Sequence, residues 1–142
     1  MIMLMPASDK LLVIDDDETF CKIVGAAGRS RGFETRCYSS LVDMGSFARI
    51  KEFDVAIIDY YLGSMRGDEI AEYVDTFFRD IPVLIVSAKD FETDQMAKWP
   101  DSVRRFVSKS AGADAIIANT REVLDRHRLL QRLSSRVRSS VG

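Results

Sequence analysis

The 142-residue chain is sparing with the residues that mark several protein classes: it has two cysteines, one histidine, three prolines and one tryptophan. Cys21 and Cys37 fit neither a metal-ligand spacing nor a disulfide framework, and read as two reduced, partly buried thiols. With His127 as the only histidine, His-based zinc sites and Ser-His-Asp triads are set aside. No apolar run approaches the roughly 18–20 residues of a membrane helix, so no membrane partner is expected. The opening Met1-Ile2-Met3-Leu4-Met5 stops at Pro6 with no basic segment before it, too short for a signal peptide. The expected location is therefore cytoplasmic, and there is no internal repeat or low-complexity stretch.

What is present suits one ordinary domain. Apolar residues make up 46% of the chain, enough for a single buried core. Lys and Arg number 20 against 22 Asp and Glu, a net charge of −2 that argues against a general nucleic-acid binder. The balance is uneven along the chain. From Arg121 onward six arginines face Glu122 and Asp125, leaving residues 1–120 with 14 basic and 20 acidic side chains. The body is acidic and the tail basic.

Period and punctuation predict alternating strands and helices. Leu11-Leu12-Val13-Ile14, Val55-Ala56-Ile57-Ile58 and Val83-Leu84-Ile85-Val86 are short continuous apolar runs, as in strands buried on both faces. Phe33 to Tyr38 and Arg104 to Ser108 supply a second and a fifth strand. Helices are expected over Asp15–Arg31 (stopped by Gly32), from a Ser40 cap to about Ile50, and after Gly67, with Ile70, Ala71, Val74, Phe77 and Phe78 inward. A short, weak helix over Asp90–Lys98 and a last helix from near Ala111 complete the series. The expected fold class is α/β: a flavodoxin-like, doubly wound, five-stranded parallel sheet in strand order 2-1-3-4-5, with an extended C-terminal helix.

In such a sheet, ligands bind beyond the carboxyl ends of the strands. Asp15-Asp16-Asp17 follow the first strand, Asp59 the third, Ser87 the fourth and Lys109 the fifth. Carboxylates that converge without His or Cys form a hard oxygen site suited to Mg²⁺, and they repel one another unless a cation lies between them. Lys109 adds positive charge, the Ser87 hydroxyl can donate to a phosphoryl oxygen, and Asp59 on the central strand is placed to be a nucleophile. Taken singly, the aspartates can be helix or turn caps and Lys109 a solvated side chain. Their conjunction at four strand ends points to phosphoryl transfer.

Leu12-Val13-Ile14-Asp15-Asp16, Ile57-Ile58-Asp59, Val86-Ser87-Ala88 and Phe106-Val107-Ser108-Lys109 resemble the receiver domain of bacterial response regulators, over about residues 10–126. The resemblance implies a phosphorylation-dependent signalling switch rather than an enzyme of metabolism, although such a domain assists its own phosphorylation and dephosphorylation. It makes Asp59 the phosphoacceptor, served by a sensor histidine kinase, a phosphotransfer protein or a small phosphodonor. Asp15 and Asp16 match the pair that holds Mg²⁺ with Asp59 and the backbone carbonyl of Tyr61. Ser87 matches the switch hydroxyl, Lys109 its partner, and Phe106 the aromatic that follows it, so that a face around helix 4, strand 5 and helix 5 changes for a downstream effector. Ser110 and Gly63 stand where the family usually has proline. A cis bond before Ser110 would cost roughly 3 kcal/mol, so the sequence leaves open whether this bond is cis or trans with a reshaped loop.

Two other readings are weighed. Leu12 to Thr19 also resembles the first motif of haloacid-dehalogenase phosphatases, with Asp15 as nucleophile and Asp17 as general acid-base. That reading gives Asp59 no role, and the acidic pair expected after the lysine is missing. A phosphate-independent receiver-like interaction module is the third. In the last helix Ile116, Val123, Leu130 and Val137 recur every seven residues beside Ile117, Leu124 and Leu133. Its early half should pack on the core. The half from Arg126 to Val137 reads as a frayed end, a seam for a homodimer, or a connector to an effector domain. The organisation expected is a leading segment 1–9, a receiver over 10–126 and a basic helical extension or linker over 127–142.

Overall fold

A computed structural model describes residues 8–61, 65, 67–89 and 99–141. Five parallel strands form one sheet in the order β2-β1-β3-β4-β5: β1 (Asp9–Ile14), β2 (Phe33–Tyr38), β3 (Val55–Asp59), β4 (Val83–Ser87) and β5 (Val103–Ser108). Period-two alternation divides the apolar strand residues between two cores. Leu11, Val13, Val55, Ile57, Leu84 and Val86 face helices α1 (Glu18–Ser30) and α3 (Ala113–Val141). Leu12, Ile14, Ala56, Ile58 and Ile85 face α2 (Gly67–Phe77), with Ile70, Val74 and Phe78 packed on them. The expected Asp90–Lys98 helix and the Gly63 loop lie outside the described residues.

Two expectations are corrected. The single helix from Ser40 to about Ile50 is instead a pair of 3₁₀ turns, Val42–Met44 and Phe47–Glu52. Ser40 does cap, since its Oγ accepts from the Asp43 N–H at 3.1 Å. Gly45 then takes φ +84°, a left-handed conformation that an α-helix cannot continue through, and Ser46 caps the second turn. The second correction concerns the thiols: Cys21 of α1 and Cys37 of β2 are joined in a disulfide, their Cα atoms 6.1 Å apart. Sixteen residues separate them in sequence, and only the packing of α1 on β2 brings them together.

The last helix is continuous for 29 residues. Ile116, Ile117, Thr120, Val123 and Leu124 are buried, whereas every residue from Leu129 to Ser139 is exposed. The crossing point is pinned by charge. Asp9, at the start of β1, accepts from Arg121 at 2.6 Å and Arg128 at 2.8 Å, and Arg128 also pairs with Asp54 at 3.5 Å. The hydrogen bond from Arg128, ahead of that from Arg121, holds the Asp9 carboxyl below its ordinary range against the opposing effect of burial.

Gly28 marks the closest approach of α1 to the sheet: a Cβ there would lie 2.5 Å from Thr35 Oγ1. Gly28→Ala should therefore lower unfolding free energy by about 1 kcal/mol in urea titration, although Ala is the better helix former. Adding Thr35→Ala should reverse the loss, the coupling expected of two side chains in contact.

Candidate functional site

Strand register assembles the polar edge. Ile14 pairs with Ile58, so Asp15 and Asp59 emerge side by side. Asp59 pairs with Val86, which sets Ser87 one residue beyond, and Ser87 pairs with Ser108, which delivers Lys109 to the same edge. The apolar runs thus do double work: they build the sheet, and where they stop they leave four polar side chains on adjacent strands.

Asp15, Asp59 and Ser87 are buried, and Asp16 is exposed. One carboxylate oxygen from each of Asp15, Asp16 and Asp59 falls within 4.8 Å of the others. Lys109 Nζ lies 2.7 Å from Asp15 Oδ2 and 3.6 Å from Asp59 Oδ2, and sits 4.4 Å from the centre of the Phe20 ring. The second oxygens are held by backbone: Asp15 Oδ1 accepts from the Asp17 N–H at 2.9 Å, and Asp59 Oδ1 from the Tyr61 N–H at 3.3 Å. Asp17 itself caps α1, its Oδ1 accepting from the Phe20 N–H at 3.1 Å.

The electrostatics are those of an undercompensated acidic site. Burial, then the charge of Asp15, raises the Asp59 carboxyl from 3.8 to about 6, although Lys109 and the Tyr61 N–H pull the other way. Burial alone would lower Lys109. The hydrogen bond to Asp15 and the charges of Asp59, Asp15 and Asp17 overcome it, and the ammonium is held above its ordinary value. Three carboxylates against one ammonium leave an excess of negative charge. The donors are all oxygen and within reach of one another, so these residues fit a hard divalent cation such as Mg²⁺.

Around this centre the structure adds Lys89 and Phe20, which sequence reasoning passed over. Lys89, two residues after Ser87, donates its N–H to Ser87 Oγ at 3.1 Å, and its ammonium lies 5.6 Å from the ring centre of Tyr61, which is 42% exposed. Phe20 is invisible to motif reasoning because it lies on the core-facing side of an amphipathic helix. Phe106, half-buried on β5, meets Trp99 edge-on at 5.4 Å, and Trp99 lies 5.9 Å from Tyr60. After Lys109 the loop has no cis bond. Ser108 instead caps the 3₁₀ turn Lys109–Ala111, accepting from the Ser110 N–H at 3.3 Å. His127 is half-buried in α3, and burial followed by Arg104 and Arg128 lowers its pKa. It lines a groove of about 490 Å³ with Asp54, Phe77 and Arg128 at the opposite end of the sheet, away from the carboxylates.

Residues 11–121 match the response regulator receiver domain family. The chain belongs to that family. The receiver is 28% identical over 116 residues to the heme response regulator HssR of Staphylococcus saprophyticus, covering 82% of this chain and 51% of that protein. It is 29% identical over 87 residues to the nisin biosynthesis regulatory protein NisR of Lactococcus lactis, covering 60% and 37%. The chain thus spans about half, or less, of the curated relatives it matches. Its fold is that of the signal receiver domain of a LuxO repressor protein from Vibrio parahaemolyticus, with a TM-score of 0.73, 15% identity, and coverage of 89% of this chain and 97% of that one. A CheY-like receiver from Methanospirillum hungatei gives a TM-score of 0.71 at 17% identity, covering 85% and 97%. The family is one of signalling domains of two-component systems, not of classical enzymes.

The raised Asp59 carboxyl has a stability signature. Because the folded state favours its protonated form, its contribution is present below about pH 4 and is lost as pH rises through about 6. In a chelator-treated sample, Asp59→Asn should raise the melting temperature by about 4 °C at pH 7.5 and by much less at pH 4.5. Equal shifts at the two pH values would contradict the assigned burden.

Proposed function

We propose that this receiver accepts a phosphoryl group on Asp59 with Mg²⁺, and so acts as a phosphorylation-dependent switch. The reading is carried by the buried Asp59 carboxylate at the end of the central strand, with Lys109 at 3.6 Å and Asp15 and Asp16 within ligand reach. A carboxylate oxygen of Asp59 attacks the phosphorus of a phosphohistidine or a small acyl phosphate. The bond from phosphorus to the donor breaks, its electron pair leaves with the donor, and an aspartyl phosphate remains. Asp15, Asp16, Asp59 and the Tyr61 carbonyl would hold the Mg²⁺, which supplies charge neutralisation for the phosphoryl oxygens. Lys109 contributes its ammonium to the same oxygens, and the Ser87 hydroxyl donates a hydrogen bond to one of them.

The switch lies on the neighbouring strands. Ser87 ends β4, and Phe106 on β5 pairs with Ile85 two residues earlier, so motion of the hydroxyl is coupled to the aromatic through one pair of strands. The surface altered is that of β5 and α3, offered to a downstream effector protein or domain. The phosphate arrives from a sensor histidine kinase or a phosphotransfer protein in the cytoplasm. Residues 10–126 form the receiver, and residues 127–142 a basic helical extension whose exposed Leu130 and Leu133 would meet a second copy or a following domain.

Intact mass after incubation with Mg²⁺ and acetyl phosphate tests the acceptor. The parent should gain one phosphoryl group, about 80 Da, and Asp59→Asn should gain none. Retention in Asp59→Asn with loss in Asp15→Asn would instead move the nucleophile to β1. Trp99 is the sole tryptophan, and its emission should change on phosphorylation of the parent and stay constant in Asp59→Asn. The Tyr61 ring flanks the site, and Tyr61→Ala should shorten the lifetime of the aspartyl phosphate by admitting water. An unchanged decay rate by mass would remove that shielding role.

A further inference from the structure

The bridge between Cys21 and Cys37 lies where it can do more than staple a helix to a strand. Cys37 is exposed near the end of β2, which is an edge strand with no neighbour on its far side among the described strands. Cys21 is half-buried in the second turn of α1. These are the only two cysteines of the chain, and their 6.1 Å Cα separation is that of an ordinary disulfide.

Both half-cystines are next to groups that position Asp15. Tyr38, which follows Cys37, accepts the Asp15 N–H at 3.0 Å through its carbonyl. Cys21 donates its own N–H to the Asp17 carbonyl at 3.0 Å, and the Asp17 N–H in turn holds Asp15 Oδ1 at 2.9 Å. Cys21 Sγ is 3.4 Å from the Asp15 carbonyl oxygen. A covalent link thus closes a ring whose other members are hydrogen bonds, with Asp15 at its centre and Asp16 next along the loop. Without the link, the mutual repulsion of the Asp15, Asp16 and Asp59 carboxylates is resisted by the backbone hydrogen bonds and by the ion pairs of Lys109 with Asp15 and Asp59.

We propose that Cys21 and Cys37 form a reversible thiol–disulfide site, reacting with small-molecule disulfides, that sets the geometry of the Asp15–Asp16 loop and with it the affinity for the divalent cation. The proposal rests on the Mg²⁺ reading above. The exposed Cys37 thiolate attacks a disulfide R–S–S–R, forming a mixed disulfide and releasing one R–SH. The Cys21 thiolate then attacks the Cys37 sulfur and releases the second R–SH. Two protein thiols are oxidised, one external disulfide is reduced, and the two thiol protons end on the two released thiols. The bridged form has its carboxylates preorganised and binds Mg²⁺ more tightly; the dithiol form must gather them first.

The full chain is incubated in oxidised glutathione or in dithiothreitol, and intact mass with iodoacetamide labelling follows the thiols. The bridged protein should take no label and the reduced protein two. Calorimetric titration with Mg²⁺ then compares the two forms and Cys37→Ser, a substitution at an exposed position that leaves the fold in place. The bridged form should bind at least about threefold more tightly than the reduced form. Cys37→Ser should match the reduced form whatever the oxidant. Failure of the bridge to form, or equal Mg²⁺ affinity in the two forms, overturns the redox proposal and leaves the metal reading standing. Absence of Mg²⁺ binding in both forms overturns the metal reading and the redox proposal together.

Discussion

Repulsion among Asp15, Asp16 and Asp59 is the constraint around which this molecule is organised. Two of the three carboxylates are buried, and the ammonium of Lys109 reaches both of them without cancelling the third charge. Such a cluster persists only on a rigid support, because any slack would let the charges separate into water. The support is visible in the three innermost strands, whose interior residues are almost wholly apolar and buried. Backbone donors from Asp17 and Tyr61 fix the remaining oxygens. The surplus negative charge suits a divalent cation, which the protein need not reorganise to receive.

The fold was largely readable because its information is local. A run of four apolar residues bounded by polar ones becomes a strand covered on both faces; three such runs and two mixed segments, separated by helical stretches, admit few topologies. The meeting of Asp15, Asp59 and Lys109 followed from the same reasoning, because parallel strands in register bring their ends to one edge. Helix boundaries are less legible: the sequence places Asp15 and Asp16 within the helix, whereas Asp17 is the cap. The Ser40–Ile50 segment failed for a definite reason. Its apolar residues have helical spacing, but Gly45 takes positive φ and divides the segment into two tight turns.

Contacts between elements far apart in sequence were the least legible. Nothing in the spacing of Cys21 and Cys37 signals a bond, since it depends on which face α1 presents to the edge strand. Gly28 against Thr35 and Phe20 beneath Lys109 are of the same kind. Each follows from packing geometry that residue type alone leaves open.

The clamp at Asp9 carries a mechanical consequence. Arg121 and Arg128 of α3 both grip the first residue of β1, and the residue after that strand is Asp15. A tilt or pull on the exposed end of α3 is delivered to β1 as tension along a fully bonded strand, about 20 Å long, instead of being absorbed by fraying. The helix acts as a lever, Asp9 as its pin and β1 as a rod ending at the acidic site. One strand thus has the anchor of the long helix at its first residue and the first carboxylate of the acidic cluster just past its last.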